Sequence, residues 1–176
     1  MSEAARSIVV LADCHIHPGG GIDWPAVALE AFKGADFIVT LGDMGEAGGL
    51  ETLAKIAPVA GVLGADDAPS PYTDGKVRVL DIGGVAIGCV FDPLEAGLAS
   101  AKDPFAPAPE ATLKAVLGVK PDVLLWASTH VPSVARIGGL LAVNPGSATL
   151  PDKGSAASFA RLTIKDGAAA AEIVAV

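Results

Sequence analysis

Ser7-Ile8-Val9-Val10-Leu11-Ala12-Asp13-Cys14-His15 is the stretch that decides the fold. Ser7 to Leu11 is a β-branched run without polar alternation, the pattern of a strand buried on both faces. It delivers a carboxylate and an imidazole, two residues apart, to a loop rich in Pro and Gly (Pro18 to Gly21), where both can converge on one cation. A D-x-H triplet alone recurs by accident. Three later stretches give it weight: Leu41-Gly42-Asp43, Gly64-Ala65-Asp66-Asp67, and Ser128-Thr129-His130 followed by Asn144-Pro145-Gly146-Ser147.

Working outward, Trp24 to Lys33 has apolar Ala26, Val27, Leu29 and Phe32, with Asp23 as the expected N-cap and Pro25 at the first helical position. Asp36 to Leu41 is a second buried strand, Leu50 to Ala57 a helix stopped by Pro58, and Val59 to Leu63 a third strand. This β-α-β-α-β order predicts a parallel sheet with crossover helices, whose ligands gather at the carboxyl ends of the strands. Asp13, His15, Asp43 and the Asp66-Asp67 pair all fall at such ends. Beyond Pro71, Lys76 to Ile82 and Val85 to Val90 read as strands around a Gly83-Gly84 turn. Phe91 to Pro109 reads as an irregular excursion and Glu110 to Leu117 as a helix. Asp122 to Trp126, Ser133 to Ile137, Leu140 to Val143, Phe159 to Ile164 and Ala168 to Val174 are further strands. The expected fold class is α/β, with one mixed and one more antiparallel sheet packed face to face and helices outside.

With 176 residues, one domain over 1–176 is expected. Hydrophobic residues make up 51% and charged ones 18%, so the chain has a core to bury. No apolar block is long enough to cross a bilayer, and Met1 to Arg6 lacks the basic start and apolar core of a secretory signal. A soluble protein in the cytoplasm, with no membrane partner, is expected. A net charge of -8 without a Lys/Arg cluster argues against gripping a nucleic-acid backbone. Cys14 and Cys89 are too few for a disulfide framework and read best as small buried residues.

Taken together, Asp13-Cys14-His15, Gly42-Asp43, Gly64-Ala65-Asp66-Asp67, Phe91-Asp92, Ala127-Ser128-Thr129-His130 and Val143-Asn144-Pro145-Gly146-Ser147-Ala148-Thr149 resemble, in order and spacing, the motifs of the calcineurin-like metallophosphoesterases, small phosphodiesterase branch, from Ile8 to Val174. The resemblance implies a four-layer α-β-β-α sandwich with two mixed β-sheets. It also implies a first metal held by Asp13, His15, Asp43 and His130, all present here. The family's second metal shares the G-D aspartate and adds an Asn and two His, at positions that here hold Ala65, Phe91 and Ser128. Two of these cannot ligate and a serine is a poor ligand, so one intact site beside an abolished one is expected. Its cofactor would be one divalent ion, with Mn, Zn, Fe and Ni as candidates.

The implied function is a metal-dependent phosphoesterase or phosphodiesterase, a hydrolase of ester bonds, with an incomplete binuclear centre and reduced or altered activity. Its partner would be a small phosphate ester. Asp43 and His130 are the expected catalytic residues together with His17, an extra imidazole that can serve as general acid toward a leaving alkoxide. Asp66, Asp67 and Asp92 border the lost positions and could recruit a weaker second ion, while Asp67 is expected to order its loop. Asn144 and Ser147 are expected to tie the strand end to the His130 loop. The alternative is a catalytically inactive protein-binding scaffold, since the same fold serves as a scaffold subunit in the retromer complex. Its contact surface would be Pro93 to Pro109 with Leu94, Leu98 and Phe105 exposed, and its partner another protein, a second copy of this chain included. An amidohydrolase-type barrel, hinted at by His15-Ile16-His17, would need roughly 250 residues.

Overall fold

The computed structural model describes residues 4–99 and 108–176. In chain order its elements are β1 (Arg6–Leu11), α1 (Ala26–Phe32), β2 (Phe37–Thr40), α2 (Ala47–Ala54), β3 (Val59–Gly61), β4 (Val77–Ile82), β5 (Val85–Val90), α3 (Glu110–Leu117), β6 (Val123–Leu125), β7 (Ser133–Ile137), β8 (Leu140–Asn144), β9 (Ser158–Lys165) and β10 (Ala168–Ala175). Among the described residues the strands form two five-stranded sheets, ordered β10-β9-β1-β2-β3 and β4-β5-β6-β8-β7. In the first, β1 pairs parallel with β2, and β2 with β3, while β9 and β10 add antiparallel pairs. The second repeats that mixture, with β5-β6 and β6-β8 parallel and β4-β5 and β7-β8 antiparallel. Both sheets are therefore equally mixed, against the expectation that one would be more antiparallel.

The layers follow from alternation along the strands. Ile8 and Val10 of β1 point with Val39, Ile87, Val123, Leu125 and Leu141 into the core between the sheets. Val9 and Leu11 face the opposite way, onto Ala28 and Phe32 of α1 and Leu50 and Leu53 of α2. Leu113 and Leu117 of α3 cover the outer face of the second sheet at Val90, Leu124 and Trp126. This is the α-β-β-α sandwich. Phe32 stands edge-on to Phe159 at 5.1 Å between centroids, a geometry that adds about 0.5–1.5 kcal/mol to the burial of each ring.

Three details differ from the sequence expectation. Pro25, not Asp23, is the N-cap of α1; its carbonyl accepts from the N–H groups of Ala28 and Leu29, while Asp23 accepts from the N–H of Trp24. The second helix starts at Ala47 and runs through Gly48-Gly49. Packing overrides propensity there: the Trp24 indole donates to the Gly49 carbonyl, and a side chain at Gly49 would crowd Ile16. Finally, Leu94 is 49% exposed but Leu98 only 3%, buried against α3, so the expected apolar contact surface loses one of its members; Phe105 lies outside the described residues, as do residues 100–107 of the excursion and Met1 to Glu3.

Candidate metal centre

The loops that leave the carboxyl ends of the parallel strands meet at one end of the sandwich. Asp13 N donates to Gly42 O (3.0 Å), His15 N to Asp43 O (2.9 Å) and Ile16 N to Met44 O (2.9 Å), so the loop after β1 runs beside the loop after β2. The second sheet joins through Ser128 N and His130 N, which donate to Asp13 Oδ2 at 3.1 and 3.4 Å. Among the described residues, five of the seven non-glycine residues with positive φ are here: Asp13 (52°), His15 (46°), Asp43 (49°), Ser128 (73°) and His130 (56°). L-residues in this region carry about 1 kcal/mol or more of strain each, which clusters at functional sites because only there does something repay it.

Two imidazole–carboxylate pairs lie side by side, and among the described residues the three ligand atoms that lie mutually within 4.8 Å belong to His15, Asp43 and Asp66. His15 Nε2 lies 3.8 Å from Asp43 Oδ2, and His130 Nε2 lies 4.0 Å from Asp13 Oδ1. The two imidazoles stack with centroids 5.3 Å apart and planes within 12°. These separations are too long for hydrogen bonds, and they are the spacing of donors that share a cation, since two atoms each about 2.1 Å from one ion sit about 3–4 Å apart. Asp13 is fully buried, yet its Oδ1 has no hydrogen-bond partner. Burial pushes its carboxyl from the ordinary 3.8 up to about 6, against the pull of His130. A buried carboxylate oxygen without a donor is costly, and a cation between it and His130 would remove that cost. The residues fit a divalent metal.

The surrounding residues orient these donors. His130 Nδ1 donates to the Leu150 carbonyl (2.7 Å), which fixes the ring with Nε2 facing Asp13. Ser147 Oγ donates to Asp13 O (2.8 Å) and accepts from Leu150 N (2.8 Å), binding the β1 loop to the segment that holds His130. Asn144 Nδ2 donates to Thr129 Oγ1 (3.1 Å), as expected of a tie to the His130 loop. Asp67 accepts from the N–H groups of Met44, Gly45 and Gly64, the loop-ordering part expected of it. Burial raises both thiols, Cys14 and Cys89, to about 12, so neither is a nucleophile near neutral pH.

Around the centre, Ala65 is exposed, Ser128 and Phe91 are half-buried, and the Phe91 ring leans on Gly42. Gly42 has φ +105°, and a Cβ there would sit 2.5 Å from Gly64 N and 2.7 Å from the Phe91 ring, so only glycine fits. Beside Phe91 opens a pocket of about 420 Å³ lined by Leu63, Gly64, Lys76, Phe91, Asp92 and Glu95. His17 is exposed and its Nδ1 pairs with Glu46 Oε1. Neither Glu46 nor the Leu150 carbonyl carried a sequence signal, since both act through tertiary proximity. Asp66 is drawn in closer than a bordering residue: its carboxylate and the facing atoms of His15 and Asp43 all lie within 4.8 Å of one another.

Comparison with known proteins agrees with this architecture. The chain is 26% identical over 146 residues to a probable metallophosphoesterase of Methanothermobacter thermautotrophicus, covering 82% of this chain and 78% of the relative. Its fold is similar to Vacuolar Protein Sorting 29 from Cryptosporidium parvum (TM-score 0.72, 20% identity, 98% of both chains) and to Vps29 from Entamoeba histolytica complexed with Zn²⁺ (TM-score 0.66, 20% identity, 96% of this chain and 98% of that one). The family model of the calcineurin-like phosphoesterase superfamily domain matches residues 7–167, and with strand-end loops that bring Asp13, His15, Asp43 and His130 together, the chain belongs to that superfamily.

Proposed function

We propose that the protein is a metal-dependent phosphoesterase that works with a single divalent ion, held by Asp13, His15, Asp43 and His130, on a small phosphate ester. The observation that carries this reading is the unpartnered, buried Oδ1 of Asp13 facing His130 Nε2 at 4.0 Å. The chemistry such an ion supplies when bound is to acidify water and polarise one phosphate oxygen. The chain's own residues hold and orient: Asp13 and Asp43 supply negative charge, His130 is aimed by Leu150, and Ser147 locks the two loops together. His17, paired with Glu46, is the general acid in this reading, with Glu46 orienting its ring. The pocket beside Phe91 would receive the alcohol half of the ester.

Ala65, Phe91 and Ser128 leave the second ion of a binuclear centre without its ligands in this reading. Losing one electrostatic element of this kind costs about 10²- to 10³-fold in rate, so turnover by the usual route would be slow. Residues 1–176 are taken as one domain working in the cytoplasm; among the described residues no helix is long and apolar enough to cross a membrane. Metal analysis of protein purified without chelator, followed by hydrolysis of an activated aryl phosphodiester with added Mn²⁺, tests the reading. Absence of bound metal together with activity that survives Asp43→Asn would refute it.

A second reading, a protein-binding scaffold without catalysis, is supported by the fold shared with the Vps29 structures and by the exposed Leu94 at the rim. Affinity capture with wild-type and Leu94→Glu protein discriminates. A monomer that retains no Leu94-dependent partner and releases phosphate counts against it.

A further inference from the structure

We propose that Asp66 is a direct ligand of the cation at His15 and Asp43, closing a three-donor set of two carboxylates (Asp43, Asp66) and one imidazole (His15). This rests on the metal-centre reading above and extends it to a residue outside the four converging side chains.

The placement of Asp66 is built, not incidental. Its backbone N–H donates to Asp43 Oδ1 at 3.1 Å, so one oxygen of Asp43 holds the β3 loop while the other faces His15. Asp67 clamps the same loop through three backbone N–H groups. Gly64 lets it approach: a Cβ there would land on the backbone nitrogen and Oδ1 of Asp43, well inside van der Waals contact. The result brings the Asp66 carboxylate within 4.8 Å of another carboxylate and an imidazole, while its own oxygens accept no hydrogen bond among the described residues. Two carboxylates brought this close repel each other, unless a cation lies between them.

The independent observation is on the other side of the imidazole stack. Asp13 Oδ1 is buried, unpartnered and directed at His130 Nε2, and His130 is stacked on His15, the histidine that Asp66 faces. A ligand is therefore called for from both sides of the His15–His130 pair. Two carboxylates beside one imidazole are a harder donor set than the sulfur and nitrogen of most zinc sites and suit an ion such as Mn²⁺, which keeps water in its remaining positions.

Titration of the full chain with Mn²⁺, following the free-ion electron paramagnetic resonance signal, compares wild type with Asp66→Asn and with Glu51→Gln, which removes an exposed carboxylate of α2. Asp66→Asn is expected to weaken Mn²⁺ by at least about tenfold. It should also add one exchangeable water to the bound ion, read from water-proton relaxation, while Glu51→Gln stays within twofold of wild type. In urea the metal-free Asp66→Asn protein should be at least as stable as wild type, since the Asp66 bond to Asp43 comes from its backbone and the substitution removes the repulsion between the two carboxylates. Equal affinities of wild type and Asp66→Asn overturn the assignment and leave the four-residue centre standing. An equal loss in Glu51→Gln also overturns it, by reducing Asp66 to a source of field. A wild-type chain that binds no Mn²⁺ overturns the centre itself and this ligand with it.

Discussion

Replacing Asp13 with asparagine should change how the stability of the metal-free protein responds to pH. In the folded chain burial holds the Asp13 carboxyl at about 6, against an ordinary 3.8. The folded state therefore binds this proton more tightly than the unfolded chain does. Its penalty is absent below about pH 4, grows as pH rises from about 4 through 6, and is constant above that. The gap between 3.8 and about 6, at about 1.4 kcal/mol for each tenfold in proton affinity, amounts to about 3 kcal/mol at pH 8, of which about half is relieved at pH 5. The substituted amide cannot ionise, yet its carbonyl oxygen can still accept from the N–H groups of Ser128 and His130. Urea unfolding of both proteins in chelator at pH 8 and pH 5 gives the difference, in which titrating groups away from the centre cancel. That difference should move by about 1–2 kcal/mol in favour of wild type on acidification. Added Mn²⁺ at 100 times its Kd should then raise wild-type stability at pH 8 by about 2.7 kcal/mol and the variant's far less. A difference between the two proteins that is flat with pH would refute the claim that Asp13 carries an uncompensated buried charge.

Further outcomes are expected at the frame of the site. Gly64→Ala should cost about 1–3 kcal/mol in urea unfolding and weaken Mn²⁺ binding, because the added methyl displaces Asp43. Ser147→Ala should cost about 2–3 kcal/mol, since it strands the buried Asp13 carbonyl and the Leu150 N–H at once. Ala65→Asn, Phe91→His and Ser128→His, made together, should raise the ions bound per chain from one to two by elemental analysis. A triple variant that still carries one ion would show that more than those side chains separates the chain from a binuclear centre.

Much of this was readable along the chain, for a physical reason. Ser7 to Leu11 and Asp36 to Leu41 are buried on both faces, so their apolar runs announce strands, and the polar residues that follow must lie at strand ends. Asp13, His15 and Asp43 were read as strand ends that way, while His130 came from the resemblance of its motif and reaches Asp13 because the second sheet packs on the first. What escaped was decided by contacts distant in sequence. Gly48-Gly49 reads as loop and becomes helix because Ile16 and Trp24 press on it. Leu98 looks exposed in a run of Pro and Ala and is buried under α3. Asp66 reads as a strand-end carboxylate bordering a lost second site; its approach to His15 depends on Gly64 lying against Asp43, which no local pattern encodes.

The left-handed backbone at Asp13, His15, Asp43, Ser128 and His130 sets two selective pressures against each other. Glycine at any of the five would relax the main chain without moving it, so a library screened only for heat resistance should drift toward glycine at these positions and lose the donors. Retention of bulky polar residues there marks the places where chemistry has outweighed robustness, and a dihedral map could find the centre with the motifs hidden.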